Sequence, residues 1–364
     1  MYPSGYREAR RSVALGALVF CLVGCGSSEV ADAGHWEGTP TDASFPDATV
    51  DLADAYPTVD PDPDASAPSP DFDAGDAASG FACEGKTLGP GSRDENVNSG
   101  GLARVAHMHV PPGYDPTRGA MLVVAFHGFS ETGYEQEVQS RMDKSSDARG
   151  YVVAYPEGVA TSWNAGDCCG DSWTGGVDDV QFTRDLLGAI EADYCIDPKR
   201  VFATGFSNGG FLSHRLGCEM SDVFGAIAPV SGVLGIPPDQ CKPKRPIPVL
   251  DFHGTSDPVV PYEGGTPFVN IGMGIVFRSV PETLDYWVNE NGCLAPPITI
   301  FQNGDATCTR WGLCKGGADV VHCKIDQGGH QWPGGVALPI VGKCSTDISA
   351  TDTMIDFFEA HPLP

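Results

Sequence analysis

The sequence predicts an α/β protein with a mostly parallel central sheet, helices on both of its faces and a single folded domain. Three observations support this prediction. Short, continuously apolar segments recur along the chain, amphipathic segments with helical spacing lie between them, and most of the apolar segments end in a glycine-containing turn. Strands that are apolar throughout are typical of a parallel sheet covered on both faces, because neither face of the strand meets water. We therefore assign residues 81–364 to one domain.

Six apolar segments are predicted as strands. The first two, "MLVVAFHG" and "GYVVAYPEG", are rich in valine and end at a glycine, as buried strands that lead into a turn do. The third, "RVFATG", passes directly into a helical pattern. In chain order the predicted strands cover residues 121–128, 150–158, 200–205, 224–232, 247–254 and 320–330.

Helices are predicted where apolar side chains recur at intervals of three or four residues. In one such segment, residues 179–194, the shared apolar face consists of Val180, Leu187, Ile190 and Tyr194. A second helix follows the glycine-rich turn after the third strand, and a third helix over residues 345–360 closes the chain.

The first 25 residues are predicted to be an export signal. Three arginines precede an apolar run that is shorter than the ~20 apolar residues of a membrane-spanning helix. The run ends in Gly24-Cys25-Gly26, which resembles a bacterial lipoprotein signal, in which the chain is cut before the cysteine and Cys25 is lipidated. The alternative is an ordinary secretory signal with an unrelated cysteine. Either signal predicts an exported protein, extracellular or held at the outer membrane by a lipid on Cys25.

Residues 26–80 are predicted to be a disordered acidic tether. They contain 13 acidic residues, no Lys or Arg, and many alanines and prolines. Such a segment buries too little apolar surface to offset the chain entropy lost on folding. The formal net charge of the whole chain, −26, argues against nucleic acid as a partner and against charge-driven binding to anionic lipid. A membrane is therefore expected as a partner only through the lipid anchor.

The cysteine content also indicates export. Of the 13 cysteines, Cys21 lies in the signal and Cys25 is the lipidation candidate, which leaves 11. Exported chains with many cysteines form disulfides, but their connectivity cannot be read from the spacing. An odd number leaves at least one thiol unpaired or joined to another chain. Cys308, Cys314 and Cys323 are spaced too loosely for a zinc site, and no metal site is predicted.

The pentapeptide "GFSNG", with Ser207 at its centre, lies where the third predicted strand becomes a helix. Gly-x-Ser-x-Gly in this place is typical of the nucleophile elbow, a strained turn that exposes the serine hydroxyl above the sheet. The helix that follows directs its free N–H groups and its dipole at this point, which favours negative charge. The alternative is a glycine-rich turn whose serine only caps the helix. We predict Ser207 as a catalytic nucleophile.

A serine nucleophile needs a base and an acid, and on this scaffold they follow in the order Ser, acid, His. Asp257 lies in the loop after the fifth predicted strand, and His330 lies in a glycine-rich loop after the last. We predict His330 as the base and Asp257 as the carboxylate that orients it. The weaker candidates, which lie within strands, at their ends or on the helix after the serine, are Asp251, His253, Asp326 and His214.

The oxyanion of the tetrahedral intermediate requires two backbone donors. The N–H of Asn208, directly after the serine, is the first predicted donor. The second is the N–H of Phe129, which follows the turn at the end of the first predicted strand.

Several segments are familiar in combination: "HGFSETG", "YVVAYPEGVATSWNAGDCCG", "YCIDPKRVFATGFSNGGFLSHRLGCE", "FHGTSDPVVPYEGG" and "GGHQWPGG". Together they resemble the polyhydroxybutyrate depolymerase-like and feruloyl esterase family of α/β-hydrolases, over most of residues 100–360. The resemblance implies an α/β-hydrolase fold, hydrolysis of carboxylic esters without a cofactor, and a "GDCCG" cysteine pair near the site. The residues it implies for the triad and oxyanion hole are Ser207, Asp257, His330, Phe129 and Asn208.

The resemblance covers two substrate classes. We expect ferulate esters of plant cell-wall xylan, and the alternative is polyhydroxybutyrate or its oligomers. Trp332 and Trp173 are predicted to bind the substrate by stacking, with interior packing as the alternative. A serine peptidase and a non-catalytic binding lipoprotein are more distant alternatives. The expected partner is therefore a small or oligomeric ester.

Overall fold

The computed structural model describes residues 83–268 and 274–364. The predicted export signal with Cys25, the predicted tether over residues 26–80 and the first two residues of the predicted domain lie outside the described residues. Within them, ten strands form one sheet and α-helices pack against it. No helix in these two ranges is long and apolar enough to cross a membrane.

The strands, in chain order, are β1 (Gly91–Ser99), β2 (Leu102–Val110), β3 (Ala120–Phe126), β4 (Val152–Pro156), β5 (Ile196–Phe206), β6 (Ile227–Val230), β7 (Val249–Gly254), β8 (Ile298–Asn303), β9 (Ala306–Trp311) and β10 (Val320–Ile325). The helices are α1 (Gly133–Ser140), α2 (Met142–Arg149), α3 (Gly170–Thr174), α4 (Asp179–Asp193), α5 (Asn208–Glu219), α6 (Val280–Glu290) and α7 (Ala350–Ala360). Two short 3₁₀ helices, Lys315–Gly317 and Pro339–Val341, lie before and after β10.

The strands of the sheet lie in the order β1-β2-β4-β3-β5-β6-β7-β10-β9-β8. The central strands from β4 to β10 are parallel, and antiparallel hairpins extend the sheet at both edges. The predicted α/β class with a mostly parallel sheet is therefore confirmed. The six predicted strands correspond to β3, β4, β5, β6, β7 and β10, although β10 ends at Ile325 and residues 326–330 form a loop.

The two edge hairpins are absent from the prediction. Only Val97 and Ser99 are buried in β1, and all six residues of β8 are exposed. Edge strands of this kind lack the continuous apolar pattern of a central strand, because one or both of their faces meet water. The pattern that reveals central strands therefore misses them.

The core has two layers, one on each face of the sheet. All seven residues of β3 are buried. Leu122 and Val124 belong to the core that packs against α4, α5 and α6, whereas Val123 and Ala125 belong to the core that packs against α2 and α7. Alternate side chains of one strand thus fill opposite layers, which explains why the strand is apolar throughout and confirms helices on both faces.

Ten of the eleven cysteines predicted to remain after export form disulfides. The pairs are Cys83–Cys195, Cys168–Cys169, Cys218–Cys241, Cys293–Cys314 and Cys308–Cys323. Cys344 is the free cysteine of the described residues, as the odd number requires. The bond between the neighbours Cys168 and Cys169 joins the two cysteines of the "GDCCG" segment. These bridges agree with the export predicted from the sequence.

Candidate active site

The turn between β5 and α5 has the geometry of a nucleophile elbow. Ser207 lies between the last residue of β5 and the first residue of α5, with φ 52° and ψ −117°. A positive φ is strained for a residue other than glycine, and such strain concentrates at functional sites. Two backbone hydrogen bonds of 2.9 Å hold the turn: Ser207 N–H donates to the Val230 carbonyl, and Phe211 N–H donates to the Ser207 carbonyl.

The flanking glycines are required by close contact between this turn and β3. A Cβ on Gly209 would lie 2.1 Å from the carbonyl oxygen of Phe126. A Cβ on Gly205 would lie 2.5 Å from the carbonyl oxygen of Gly209 and 2.7 Å from that of Phe126. Neither space admits a methyl group, so the Gly-x-Ser-x-Gly spacing follows from the packing of the elbow.

Asp257 and His330 form a buried hydrogen-bonded pair. His330 Nδ1 lies 2.7 Å from Asp257 Oδ2, and the other oxygen, Oδ1, accepts the N–H groups of Val259 and Val260 at 2.8 Å each. Burial alone would raise the pKa of the Asp257 carboxyl, but the charge and hydrogen bond of His330 outweigh burial and lower this pKa. An ionised Asp257 therefore accepts from Nδ1–H of His330, which leaves Nε2 available to take a proton.

The imidazole of His330 lies next to the elbow. Its ring centroid is 4.7 Å from that of Phe206, the residue before Ser207. The backbone N–H of His330 donates to the Val341 carbonyl at 2.8 Å, which anchors the loop that carries the ring. Because β5, β7 and β10 are parallel, the loops after them leave the same edge of the sheet, and this brings the three predicted triad residues to one place.

A second Asp–His pair lies within the sheet and not at its edge. His322 Nδ1 is 2.7 Å from Asp251 Oδ2, and the hydroxyl of Tyr262 is 2.9 Å from His322 Nε2. Both ring nitrogens of His322 are thus engaged, so this histidine has no free nitrogen for a substrate. Asp251 is buried, and the oxygen that faces His322 is engaged by that histidine.

The remaining rival residues also have structural surroundings. His253 is buried, and its Nε2 donates to the Val260 carbonyl at 2.8 Å. His214 accepts at Nδ1 from the indole N–H of Trp287 at 3.0 Å, and burial lowers the pKa of His214 to about 4. Asp326 is exposed in the loop after β10. His253 and Tyr262 thus anchor positions 260 and 262 of the segment that follows Asp257.

The turn after β3, which carries the predicted oxyanion donor Phe129, is held by hydrogen bonds on Gly128. The N–H of Phe129 makes no hydrogen bond to any of the described residues. The preceding residue, Gly128, is fixed on both sides, because its N–H donates to Glu131 Oε2 at 2.8 Å and its carbonyl accepts from His127 Nδ1 at 2.7 Å. The sequence reasoning did not single out His127 or Glu131; the only signal was their position in "HGFSET" beside the predicted donor.

Burial controls the ionisation of both residues around Gly128. It lowers the pKa of His127 to about 4, so the ring is neutral at pH 7. His127 Nε2 accordingly accepts the N–H of Gly158 at 2.9 Å. Burial raises the pKa of Glu131 to about 7. Glu131 therefore titrates near neutral pH at the side of the predicted oxyanion hole.

The side chain of Asn208 anchors the loop that carries the cysteine pair. Its Oδ1 accepts the N–H of Trp163 at 2.7 Å, and its Nδ2 donates to the Trp163 carbonyl at 3.1 Å and lies 3.9 Å from Cys168 Sγ. The backbone N–H of Asn208 is the first of α5, and such amides have no partner within their own helix. This N–H is therefore available to donate a hydrogen bond, as the predicted oxyanion role requires.

The two tryptophans predicted to bind substrate differ in their surroundings. Trp332 has an exposed fraction of 0%, and its indole N–H donates to Thr351 Oγ1 at 3.0 Å. A side chain enclosed beneath α7 cannot stack on a substrate, so the prediction for Trp332 is wrong and its packing alternative is correct. Trp173 is half-buried on α3, and its contact with substrate stays a prediction.

Comparison with known proteins identifies the family. Residues 181–272 match the Abhydrolase_2 family, described as Phospholipase/Carboxylesterase. The putative esterase NocK of Nocardia uniformis subsp. tsuyamanensis is 31% identical over 278 residues, which are 71% of this chain and 79% of that protein. The chain belongs to the feruloyl esterase-like α/β-hydrolases. Feruloyl esterase B of Piromyces equi is 36% identical over 227 residues, 60% of this chain, and the match spans 41% of that longer protein.

The fold of this feruloyl esterase-like α/β-hydrolase also agrees with a solved structure. Acetyl xylan esterase from Aspergillus awamori superposes with a TM-score of 0.52 at 16% sequence identity, covering 73% of this chain and 99% of the other. This likeness supports the α/β-hydrolase fold. In residues 83–268 and 274–364, no three His, Cys, Asp or Glu side chains are grouped so that they could hold a metal ion.

Proposed function

We propose that this chain is an exported serine esterase that hydrolyses carboxylic esters through Ser207, His330 and Asp257. The observation that carries the proposal is the buried 2.7 Å pair of His330 and Asp257 beside the strained turn of Ser207. The engaged Nδ1 leaves Nε2 as the free base of the imidazole. Family membership supports the same chemistry, since the relatives compared above are named as esterases.

The mechanism follows from this arrangement. His330 Nε2 removes the proton of Ser207 as its oxygen attacks the ester carbonyl, and the Asp257 carboxylate stabilises the imidazolium. The N–H groups of Phe129 and Asn208 stabilise the oxyanion. The imidazolium then gives its proton to the leaving alcohol, and an acyl-enzyme remains on Ser207. Water, activated by the same base, hydrolyses the acyl-enzyme and restores the serine.

Esters of plant cell-wall xylan are the proposed substrates. The support comes from the names of similar proteins: feruloyl esterase B of Piromyces equi, and the bifunctional acetylxylan esterase/xylanase XynS20E of Neocallimastix patriciarum, which is 28% identical over 233 residues and spans 31% of that protein. Export is proposed from the signal-like N-terminus and is supported by the five disulfides of the described residues. Lipid attachment at Cys25 and a tether over residues 26–80 complete the proposal.

The test combines labelling with a choice of substrates. A fluorophosphonate should label the full-length natural protein and should fail to label Ser207→Ala. The control variant Ser213→Ala, on α5, should be labelled as the natural protein is. Methyl ferulate should be hydrolysed faster than a soluble 3-hydroxybutyrate oligomer. Faster cleavage of the oligomer would instead identify a polyester-degrading enzyme. Labelling that persists in Ser207→Ala would contradict the proposed nucleophile.

A further inference from the structure

A cluster of polar side chains, most of them buried, lies inside the domain behind the loop that carries Asp257. We call it the buried histidine cluster. Its members come from β7, β10, the segment after β7 and the helices α5 and α6: His214, Asp251, His253, Tyr262, Trp287 and His322. The mechanism proposed above assigns no role to this cluster.

Asp251 and His253 point from β7 into the same core layer. Val249, two residues before Asp251, belongs to the layer that packs against α4, α5 and α6, whereas the residues on either side of Asp251 belong to the opposite layer. Side chains of a strand alternate between its two faces, so Asp251 and His253 lie on the Val249 side. His214 enters this layer from α5. His214, Asp251 and His253 each have an exposed fraction of at most 1%.

Each of these three side chains has one buried polar atom without a hydrogen-bond partner among the described residues. The atoms are His214 Nε2, Asp251 Oδ1 and His253 Nδ1. His214 Nε2 lies 3.9 Å from Asp251 Oδ1, which is too far for a direct hydrogen bond. The Gly232 carbonyl is also near His214, but no hydrogen bond joins them. Nearly all buried polar atoms of folded proteins bond to protein or to ordered water, so three such atoms in one layer point to a bound molecule.

The neighbouring hydrogen bonds determine which of the three atoms carries a proton. The indole N–H of Trp287 can only donate, so His214 Nδ1 accepts and the proton of this ring lies on Nε2. Burial lowers the pKa of His214 to about 4, which keeps the ring neutral at pH 7. His253 Nε2 donates to the Val260 carbonyl, so Nδ1 of the neutral ring is an acceptor. With the carboxylate oxygen of Asp251, the cluster offers one donor and two acceptors.

Water has the hydrogen-bonding groups that complement this set. Its oxygen can accept from His214 Nε2–H while its two hydrogens are donated to Asp251 Oδ1 and His253 Nδ1, and about three hydrogen bonds are usual for a buried water. The two rings are neighbours, since His253 adds to the effect of burial in lowering the pKa of His214. A metal ion does not fit, because it needs a lone pair where His214 Nε2 carries a proton. An ammonium ion does not fit, because it cannot accept from that N–H.

His253 connects this site to the predicted acid. Its Nε2 donates to the Val260 carbonyl at 2.8 Å and lies 3.5 Å from Asp257 Oδ2. In the other tautomer of the neutral ring, the lone pair of Nε2 would face these two oxygens and repel both. A hydrogen bond donated to Nδ1 excludes that tautomer, because a nitrogen that accepts a hydrogen bond does not carry the proton.

We propose that His214, Asp251 and His253 bind one buried water molecule, and that this water makes His253 a positioning residue for the loop of Asp257. The catalytic part of this inference rests on the proposed function, whereas the water site does not depend on it. The water fixes the tautomer of His253, and His253 in turn holds the backbone of the loop at Val260.

Asp251 thereby connects both anchors of the acid loop. Its Oδ1 holds the water that fixes His253, and its Oδ2 accepts from His322 Nδ1 at 2.7 Å. His322 Nε2 then accepts the hydroxyl of Tyr262 at 2.9 Å. One carboxylate thus reaches the loop at position 260 through the water and at position 262 through a histidine, which explains why a charged side chain lies inside β7.

A crystal structure of the natural protein at about 1.2 Å resolution tests the water directly. We expect an isolated density peak within about 2.6–3.2 Å of His214 Nε2, Asp251 Oδ1 and His253 Nδ1. No peak at this position overturns the proposal, and so does a peak at about 2.0–2.2 Å from these atoms, which is a metal–ligand distance. A peak that contacts the other two atoms but misses His253 Nδ1 overturns the connection to the acid loop.

A double-mutant cycle tests the positioning role. His214→Asn keeps an acceptor for Trp287 and removes the N–H that holds the water, so kcat on methyl ferulate should fall about three- to tenfold with KM within about twofold. His253→Gln replaces the ring by an amide that donates to Val260 and has no second tautomer. In this background, His214→Asn should lower kcat by less than about twofold. His361→Asn, at the end of α7, is the control and should retain the kcat of the natural protein.

A comparison of two replacements at one position isolates the N–H of His253. His253→Leu has no donor for the Val260 carbonyl and should lower kcat by about 10- to 100-fold. His253→Gln should recover most of this loss, although both replacements remove the ring. Equal losses in the two variants would overturn the positioning role. An equal effect of His214→Asn in the natural and His253→Gln backgrounds would also overturn it, because a loss of packing alone does not depend on the tautomer of His253.

The outcomes separate this inference from the proposed function. If the natural protein hydrolyses no ester and a fluorophosphonate does not attach, the proposed function is wrong and the density peak alone decides the water. If the natural protein is active and the peak is absent, the water is wrong and the esterase function stands. If His214→Asn does not fold, the density peak decides the water and the two replacements of His253 decide the positioning role.

Discussion

His330 Nδ1 lies 2.7 Å from Asp257 Oδ2, although 73 residues separate them along the chain. The reason is that β7 and β10 are adjacent and parallel, with Asp251 opposite His322 in the register. The loops after these strands therefore leave the sheet side by side. This adjacency turns two separate loop residues into one hydrogen-bonded unit next to Ser207.

Replacing the acid should disable the base without unfolding the protein. Asp257→Asn keeps the shape but lets the amide donate toward His330, which favours the tautomer whose Nε2 already carries a proton. We expect kcat on methyl ferulate to fall by roughly 10⁴-fold, as for the equivalent change in a Ser-His-Asp triad. Asp326→Asn, at the exposed rival position, is the control and should remain within twofold. A loss below tenfold in Asp257→Asn would assign the acid elsewhere.

Removing the nucleophile should have the largest effect on rate. Ser207→Ala should lower kcat by roughly 10⁶-fold if triad behaviour in serine hydrolases transfers to this chain. Single-turnover assays with a chromogenic ester measure formation of the acyl-enzyme. The burst that reports this intermediate should vanish when the Ser207 hydroxyl is removed. Retention of a burst in Ser207→Ala would show that another group attacks the ester.

The elbow glycines should tolerate no methyl group. Gly209→Ala places a Cβ 2.1 Å from the carbonyl oxygen of Phe126, and we expect a loss of roughly 3 kcal/mol or more in the free energy of unfolding. Gly188→Ala on α4 is the matched control, since nothing lies within 4 Å of its added Cβ. The control should gain about 0.5–1 kcal/mol from higher helix propensity. Urea unfolding measures both, and equal stability of the two variants would refute the packing argument.

Stability should depend on pH through Glu131. Burial raises its pKa from 4.5 to about 7 in the folded state. The protonated form is favoured by folding, so the stability contribution is complete below pH 4.5 and is lost as the pH rises through 7. Glu131→Gln cannot ionise and should keep that contribution. Allowing for partial exposure, the variant should gain about 1–2 kcal/mol relative to the natural chain between pH 5 and pH 8.5.

Thermal melts of both proteins at the two pH values measure this difference. The gain corresponds to a few degrees in Tm. Glu290→Gln, exposed at the end of α6, is the control and should show no such dependence. A Tm difference between Glu131→Gln and the natural chain that stays constant from pH 5 to pH 8.5 would contradict the raised pKa.

The loop that carries Asp257 should depend on the hydroxyl of Tyr262. This hydroxyl is 2.9 Å from His322 Nε2, and its loss leaves a buried ring nitrogen without a partner. Tyr262→Phe should lower kcat by about three- to tenfold with KM within twofold, because the acid loop is less well positioned. Tyr286→Phe removes a comparable hydrogen bond to the Cys241 carbonyl away from this loop and is the control. Equal kinetics for the two variants would restrict Tyr262 to a purely structural role.

Trp332 shows where sequence reasoning failed and why. The residue follows the predicted base by two positions, so the sequence places it near the site. Its side chain nevertheless points into the core beneath α7, where its indole N–H meets Thr351. Proximity along a loop does not determine which way a side chain faces, because that choice depends on the helix that packs over the loop. Glu131 was missed for the same reason. Its hydrogen-bond partner Gly128 is close in the sequence, but the sequence does not reveal that the Glu131 side chain is buried.

The sequence by itself determined the central strands, the helices α4 and α5, the elbow at Ser207 and the loop positions of Asp257 and His330. These features depend on local patterns: continuous apolar runs, helical spacing, and glycines beside one serine. Only the tertiary structure decided the strand order, the disulfide pairs, the burial of Trp332 and the cluster of His214, Asp251 and His253. Each of these depends on which distant segments become neighbours, and that is settled by the packing of the whole sheet and its helices.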